Sequence, residues 1–565
     1  MPVRNWLAAY SPGVPAEIDP DSYPSLVALL EASFARFAAQ PAFTNIETTL
    51  TFADVERSSR AFAAYLQAMP GAQAGDRVAI MVPNTLQSPV VLFGILRAGM
   101  VAVNVNPQYT IPELTHQLAD SGAGTVIVLE NFAHTVAAAL PNTSVKHVVV
   151  TRLGDHCSPL KRAIVNFVVK YVRKLVRPWH IAGAVSYRAA LARGAELPYA
   201  APRLTGRDLA FLQYTGGTTG RAKGAMLTQR NMVANTLQAA AWARPFFNAE
   251  TSVVVTPLPL YHVYSLTANL FCFMELGGHN LLITDPRDFK GFIALLRKTR
   301  FGFMTGVNTL FNALLHTPGF DSIDFSSLRV CMGGGMAVQR EVAERWQAVT
   351  GVPIAQGYGL TEASPILTAM PLHLKEFTGS VGVPFPSTEI AIFDDGGMQV
   401  GVGEIGEICA RGPQVMAGYW QRAEDTAQVM FGDGWLRTGD VGRFDAAGYL
   451  FISDRKKDVI VVSGFKVYPN EIEEVAVRQA GVREAAAIGV PDAQSGEVVK
   501  LFVVRKEPNV TAADVIAHAR KSLVGYKVPR HVEFVNELPK SNVGKVLRRA
   551  LKEPAGGQPT ASPPK

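Results

Sequence analysis

Short β-branched runs alternate with longer stretches of helical periodicity through the first 150 residues. Residues 78–82, 101–105 and 125–129 read as strands, and residues 26–37 and 54–69 as helices. Strands separated by helices predict parallel α/β layers. The rhythm returns after residue 230, with strands predicted at 253–256 and 280–284 and a helix at 289–299. Near residue 380 the texture changes. Strand-like runs at 390–393 and 407–410 are separated by Asp394-Asp-Gly-Gly397, a turn signal, so a β-rich region follows the α/β layers. A further unit begins near 458, with helices at 470–480 and 512–523 and strands at 485–490 and 500–504. The tail 553–565, rich in Pro and Gly, is expected to be disordered.

A chain of 565 residues exceeds what one hydrophobic core organises, so at least two domains are expected. With 48% hydrophobic and 18% charged residues it is globular in composition. Its four cysteines are far apart and form no CxxC pair, which argues against a disulfide framework or a cysteine zinc site. The net charge of +7 favours anionic partners such as phosphates or a lipid surface, and no nucleic-acid signature accompanies it. The start lacks the long apolar run of a secretory signal, and no uninterrupted apolar stretch reaches the length of a membrane span. The most apolar region, 253–276, contains Pro257, Pro259, His262 and Glu275 and reads as buried core. Residues 161–177 read as an amphipathic helix. Arg162, Lys170, Arg173, Lys174 and Arg177 fall on one arc, and Ile164, Val168, Tyr171, Val172, Leu175 and Val176 on the opposite one. A basic face with an apolar back predicts reversible association with an anionic bilayer surface.

The strongest chemical signal is Tyr214-Thr-Gly-Gly-Thr-Thr-Gly-Arg-Ala-Lys-Gly224, which follows the strand-like run 209–212. Gly216, Gly217 and Gly220 let backbone amides approach a polyphosphate. Thr215, Thr218 and Thr219 add hydroxyl donors, and Lys223 adds a positive charge. The spacing is not that of a Walker A loop. Gly401-Val-Gly-Glu-Ile-Gly406 matches a dinucleotide fingerprint, but it leads into strand-like 407–410 rather than a helix and is read as a hairpin connection. No Gly-x-Ser-x-Gly elbow or His-Glu-x-x-His pair is present.

Five segments in order resemble the adenylate-forming superfamily. They are 214–224, Gln356-Gly-Tyr-Gly-Leu-Thr-Glu362, Thr438-Gly-Asp440, Asp454-Arg-Lys-Lys-Asp458 with Ser463-Gly-Phe-Lys466, and Pro539-Lys-Ser-Asn-Val-Gly-Lys545. The resemblance spans roughly 30–550 and is closest to bacterial long-chain fatty-acyl-CoA ligases, supported by Leu258-Pro-Leu-Tyr-His262 and Gly333-Gly-Gly-Met336. It implies two half-reactions. A carboxylate attacks the α-phosphorus of ATP, giving acyl-AMP and pyrophosphate; the thiol of CoA then displaces AMP to give a thioester. The resemblance implies that residues 214–220 and Lys223 hold the phosphates and that Thr218 and Glu362 approach Mg²⁺. It sets Tyr358, beside Thr361, against adenine, and Gly334 and Gly335 against adenine or the acyl group. Asp440 is implied to bind the ribose hydroxyls, Arg455 the ribose or phosphate side, and Gly464 to line the passage for CoA. Lys545 is implied to be the catalytic lysine of adenylation, and His262 to sit near the carboxylate and a conformational gate. Long-chain relatives with a tryptophan gate carry it four residues after that histidine, where this chain has Leu266.

The expected fold is α/β: a large N-terminal domain of α/β layers plus a β-rich region, and a small mobile α+β C-terminal domain. The boundaries are 1–456, a hinge at Lys457, 458–552, and the tail 553–565. Two other readings remain open, an acyl-AMP ligase that loads a carrier protein and a non-catalytic peripheral lipid-binding protein. A cytoplasmic enzyme is expected, peripheral on the inner face of the membrane through residues 161–177. Preference for medium to long acyl chains follows from the apolar stretch around His262, since each buried methylene contributes about 0.8 kcal/mol.

Overall fold

The computed structural model describes residues 5–215, 222–492, 494–540 and 546–552. The tail expected to be disordered therefore lies outside the described residues. The chain divides into two compact units, Met1–Ile390 with Ala410–Leu436, and Ala391–Cys409 with Arg437–Lys565.

The alternating pattern of the first 150 residues builds a seven-stranded sheet in the first unit. Its spatial order is Val185–Ser186, His147–Thr151, Thr125–Leu129, Arg77–Met81, Val101–Asn104, Leu209–Thr215 and Lys223–Thr228. All neighbours are parallel except the last pair, an antiparallel hairpin that aligns Tyr214 with Gly224 and Thr215 with Lys223. The central strands are apolar throughout because both faces are covered, as parallel sheets require. Helix Leu26–Phe37 starts on the Ser25 side chain, and Phe52–Gln67 starts on a capping box of Thr51 and Asp54.

A second sheet of nine strands continues the rhythm after residue 230. Its central strands Ile354–Gly359, Val330–Gly333, Phe303–Gly306, Val253–Thr256, His279–Leu282 and Pro41–Asn45 run parallel. Antiparallel strands close both of its edges. Against it lies the apolar segment after His262. This segment is a short α-turn Val263–Ser265, a π-helical stretch Leu266–Phe271 and an α-turn Cys272–Leu276, and every residue in it except Tyr264 is buried. Its buried polar groups are paired: Thr267 Oγ1 donates to the Ser364 carbonyl, and Asn269 bonds Thr305 and Thr256.

The segment expected as one helix over 161–177 is shorter. An α-helix Pro159–Phe167 passes into a π-helical stretch Val168–Val172, and Lys174 stands at φ +52°. The wider π turn breaks the 100° phase on which the two arcs were drawn. Leu175, Val176 and Arg177 therefore leave the helix. The exposed apolar stripe is Leu160, Ile164, Phe167 and Tyr171, with Val172 and Leu175 exposed beside it, while Val168 is half-buried.

The β-rich region yields strands Glu389–Phe393, Gly406–Arg411, Trp435–Phe444 and Leu450–Arg455. Gly406 opens a strand, so the dinucleotide-like spacing before it is a connection as expected. In the second unit a further sheet of Phe465–Val467, Ile460–Val462, Gly496–Arg505, Val482–Asp492 and His531–Phe534 packs on helices Pro469–Val477 and Ala512–Ser522 through Ile472, Val475, Val503 and Val515.

Candidate active site

The Gly/Thr-rich segment joins the paired strands Leu209–Thr215 and Lys223–Thr228. Gly216, Gly217, Thr218, Thr219 and Gly220 themselves lie outside the described residues, as does Lys545. The two strands fix what flanks that segment. Tyr214 donates its hydroxyl to Asp120 Oδ2 at 2.7 Å, and Arg422 holds the other Asp120 oxygen at 2.6 Å. Burial, with the Asp120 carboxylate beside it, raises the Tyr214 phenol well above its ordinary range. Lys223 reaches Asp425 at 2.7 Å and lies 5.4 Å from the ring centre of Tyr419, a cation–π geometry. Tyr419 donates its hydroxyl to Glu362 Oε1 at 2.7 Å. Burial, then the Glu362 charge, raises the Tyr419 phenol, so it stays a donor.

Tyr419 thus carries a cation on its ring and a carboxylate on its hydroxyl. It links two motifs 139 residues apart in sequence, Lys223 and Glu362. Backbone bonds hold the geometry. Met226 donates to the Gly418 carbonyl, Ala417 to the Met226 carbonyl and Trp420 to the Gly224 carbonyl, while Met416 donates to the Glu362 carbonyl. Glu362 sits in the one-turn helix Thr361–Ala363 immediately after strand Ile354–Gly359, which carries the buried Tyr358.

His262 caps the start of the buried segment. Its Nδ1 accepts the Tyr264 backbone N–H at 3.3 Å, so Nε2 carries the proton of the neutral ring. Burial lowers its pKa to about 4. Tyr264, two residues on, donates its hydroxyl to the Met332 carbonyl at 3.2 Å. Its ring lies against Gly334, where a Cβ would stand 3.0 Å from ring carbons. The glycine run after Val330–Gly333 is therefore needed for the aromatic ring to pass, and Gly335 follows at φ +75°.

The antiparallel pair Trp435–Phe444 and Leu450–Arg455 sets Asp440 opposite Arg455, both in the second unit, and their side chains meet at 3.2 Å. Asp440 is buried, and its backbone N–H is held by the Thr438 hydroxyl. Lys457 follows Arg455 in the 3₁₀ turn Lys456–Asp458, and burial lowers its pKa. Gly464, at φ +84°, makes the tight turn between Ile460–Val462 and Phe465–Val467. Arg548 binds Glu473 at 2.8 Å and Asn470 at 2.7 Å, and it lies 3.5 Å from Asp454 and Asp458. It anchors the end of the described chain onto the carboxylates around the Asp454 motif.

Motif spacing identified Tyr214, Lys223, Glu362, Asp440 and Arg455. It missed Tyr419, Asp120, Asp425, Arg422 and Arg548, which carry no signature and act by proximity. Tyr264 has a weak signal, as an aromatic two residues after the selected histidine. Residues 30–420 match the AMP-binding enzyme model, and residues 471–545 match the AMP-binding enzyme C-terminal domain. The chain belongs to the AMP-binding enzyme family. It is 55% identical over 553 residues to a long-chain-fatty-acid–CoA ligase of Salmonella typhimurium, covering 98% of both chains. It is 50% identical to a long-chain-fatty-acid–CoA ligase of Haemophilus influenzae, over 97% of this chain and 98% of that one. Among solved structures, ATP-bound MatB from Rhodopseudomonas palustris superposes with a TM-score of 0.81 at 28% identity, covering 93% of this chain and 98% of that one.

Proposed function

We propose that this AMP-binding enzyme is a long-chain fatty acid–CoA ligase. It forms acyl-AMP and pyrophosphate from a fatty acid and ATP, then transfers the acyl group to CoA. The carrying observation is the 50–55% identity to ligases of that name across both family modules. The site chemistry agrees with it. A carboxylate attacking a polyphosphate must overcome like-charge repulsion, and preorganised cations and donors lower that barrier. Lys223 brings positive charge to the end of the Gly/Thr-rich segment, and Glu362 stands across Tyr419 from it.

Among the described residues no group of three or more His, Cys, Asp or Glu side chains is placed to hold a metal ion. A single carboxylate suits Mg²⁺, which is bound by one or two carboxylates together with substrate phosphates and water. Glu362, with Thr218 beside the phosphates, would hold it, and the ion would offset phosphate charge.

In this reading His262, neutral at physiological pH, offers Nε2–H to the fatty acid carboxylate. Gly334 and Gly335 let the chain pass close to nucleotide and acyl group, Tyr358 stacks on adenine, and Asp440 accepts from the ribose hydroxyls with Arg455 beside it. Residues 458–552 rotate about Lys457 between the half-reactions, exchanging Lys545 for Gly464 and the CoA passage. If so, Lys545→Ala lowers pyrophosphate release from palmitate and ATP by about 10²–10³-fold and spares acyl-CoA formation from supplied acyl-AMP. Equal losses in both assays refute the exchange, and no palmitoyl-CoA from the wild-type enzyme refutes the ligase reading.

No helix among the described residues is long and apolar enough to cross a membrane. The exposed stripe Leu160, Ile164, Phe167 and Tyr171, with Arg173, Lys174 and Arg177 exposed just beyond it, supports reversible docking on an anionic bilayer. ATP and CoA as co-substrates support a cytoplasmic enzyme, on the inner face of the membrane when docked.

A further inference from the structure

One short helix of the first unit is tied to both ends of the Gly/Thr-rich segment. The helix Ala423–Val429 follows Arg422, whose guanidinium holds Asp120 Oδ1 at 2.6 Å, and the other Asp120 oxygen receives the Tyr214 hydroxyl at 2.7 Å. Tyr214 stands at the near end of the segment. In the first turn of the same helix Asp425 holds the Lys223 ammonium at 2.7 Å, and Lys223 opens the strand at the far end. Thr426 Oγ1 accepts the Tyr419 backbone N–H at 2.9 Å and donates to the Arg422 carbonyl at 2.8 Å, which fixes the helix start against the chain at Tyr419.

These bonds make the two members of the ion pair unequal. Asp425 rides on an anchored helix. Lys223 is fixed at its backbone by pairing with Thr215, while its ammonium ends a flexible four-carbon stem. The Tyr419 ring, 5.4 Å away, gives that ammonium a face to lie on, and the Tyr419 hydroxyl donates to Glu362 on its far side. The pair is open to solvent, with the Lys223 side chain 17% exposed and that of Asp425 25%. Breaking a sealed pair strands a buried charge, whereas an open pair exchanges partners at modest cost. A polyphosphate is a more highly charged anion than a carboxylate and competes for the same ammonium. A fixed carboxylate beside it repels it in turn.

We propose that Asp425 is the counter-ion of Lys223 before ATP binds, and a positioning residue that sets how tightly the polyphosphate is held. It keeps the ammonium on the Tyr419 ring, gives it up to the polyphosphate as ATP arrives, and takes it back as pyrophosphate leaves. The inference rests on that part of the ligase reading in which Lys223 meets the ATP polyphosphate. Asp425 makes ATP and pyrophosphate bind more weakly than Lys223 without a carboxylate partner would, and so eases product release.

The test is equilibrium binding of ATP and of adenosine, with no acid present, to the full-length enzyme and its Asp425→Asn, Asp425→Ala and Asp425→Glu variants. Pyrophosphate inhibition of palmitoyl-CoA formation is measured alongside. Asp425→Asn and Asp425→Ala tighten ATP binding about tenfold, near 1.4 kcal/mol, and lower the pyrophosphate inhibition constant by a similar factor. Adenosine, which carries no phosphate, keeps its wild-type Kd. Asp425→Glu, which keeps the charge, stays near wild type. A residue that merely braces the helix gives the opposite sign, weaker ATP binding in both neutral variants. A folding defect lowers the number of sites titrated but not the ATP-to-adenosine affinity ratio, so that ratio decides. ATP binding unchanged or weakened in both neutral variants overturns the proposal, as does Asp425→Glu behaving like Asp425→Asn. A wild-type enzyme that makes no palmitoyl-CoA, in a series that still shows the ATP shifts, overturns the ligase reading alone.

Discussion

The segments 159–172 and 263–276 are built alike and placed oppositely. Each joins α-helical turns to a π-helical stretch, Val168–Val172 in one and Leu266–Phe271 in the other. Each follows closely on a histidine whose pKa burial lowers to about 4, His156 and His262. In the first segment no residue is buried; in the second every residue but Tyr264 is. Six of the sixteen large apolar side chains exposed among the described residues fall between 160 and 175. Local apolarity and helical irregularity therefore do not decide burial. The nine-stranded sheet supplies a face for the second segment to cover, and Asn269 finds partners there in Thr305 and Thr256. The two histidines carry the same warning. His156 bonds the Tyr187 hydroxyl at 2.9 Å in the core, away from the motifs, so a depressed histidine pKa by itself does not mark catalysis.

The largest expected effect separates the segments by stability. Leu270 is fully buried, and Leu270→Ala should lower unfolding free energy by about 2–5 kcal/mol. A chemical-denaturation difference below about 1 kcal/mol would show that the segment is not core.

The next effect is pH dependence. Between pH 6.5 and about 4 the unfolded chain binds a proton at His262 that the folded chain excludes. The unfolded state holds more protons there, so stability rises with pH and is lost on acidification. The slope is about 1.4 kcal/mol per pH unit for each such histidine. His262→Gln and His156→Gln should each flatten the stability profile in that window, while His262→Gln should cost more acyl-CoA formation than His156→Gln. Equal activity losses would remove His262 from the site.

A smaller effect concerns the exposed stripe. The double variant Ile164→Asp, Phe167→Asp should reduce sedimentation with anionic vesicles about tenfold, near 1.4 kcal/mol, and leave thermal unfolding in place. Unchanged vesicle binding would remove the stripe as a docking element. Smallest of all, Ile164→Ala should shift unfolding by no more than about 0.5 kcal/mol, as expected for an exposed site.

Much of the fold was legible because periodicity reports burial. The helix at 26–37 and the strand at 125–129 appear as read, and the predicted 78–82, 101–105 and 253–256 strands agree within a residue. Helix 289–299 stops at Leu296, and helix 470–480 shifts to Pro469–Val477. Ends depend on capping and fraying more than on the apolar repeat. The amphipathic reading of 161–177 failed at its C-terminal end because a π turn leaves no mark in a 100° projection.

The sequence by itself determined the family and the order of its motifs, because each motif is a run of neighbours within a few residues. Only the tertiary structure decided that Tyr419 joins Lys223 to Glu362 and that Tyr264 presses on Gly334. Those pairs meet through sheet register and chain crossing, and no local pattern encodes which distant side chains a parallel sheet will set side by side.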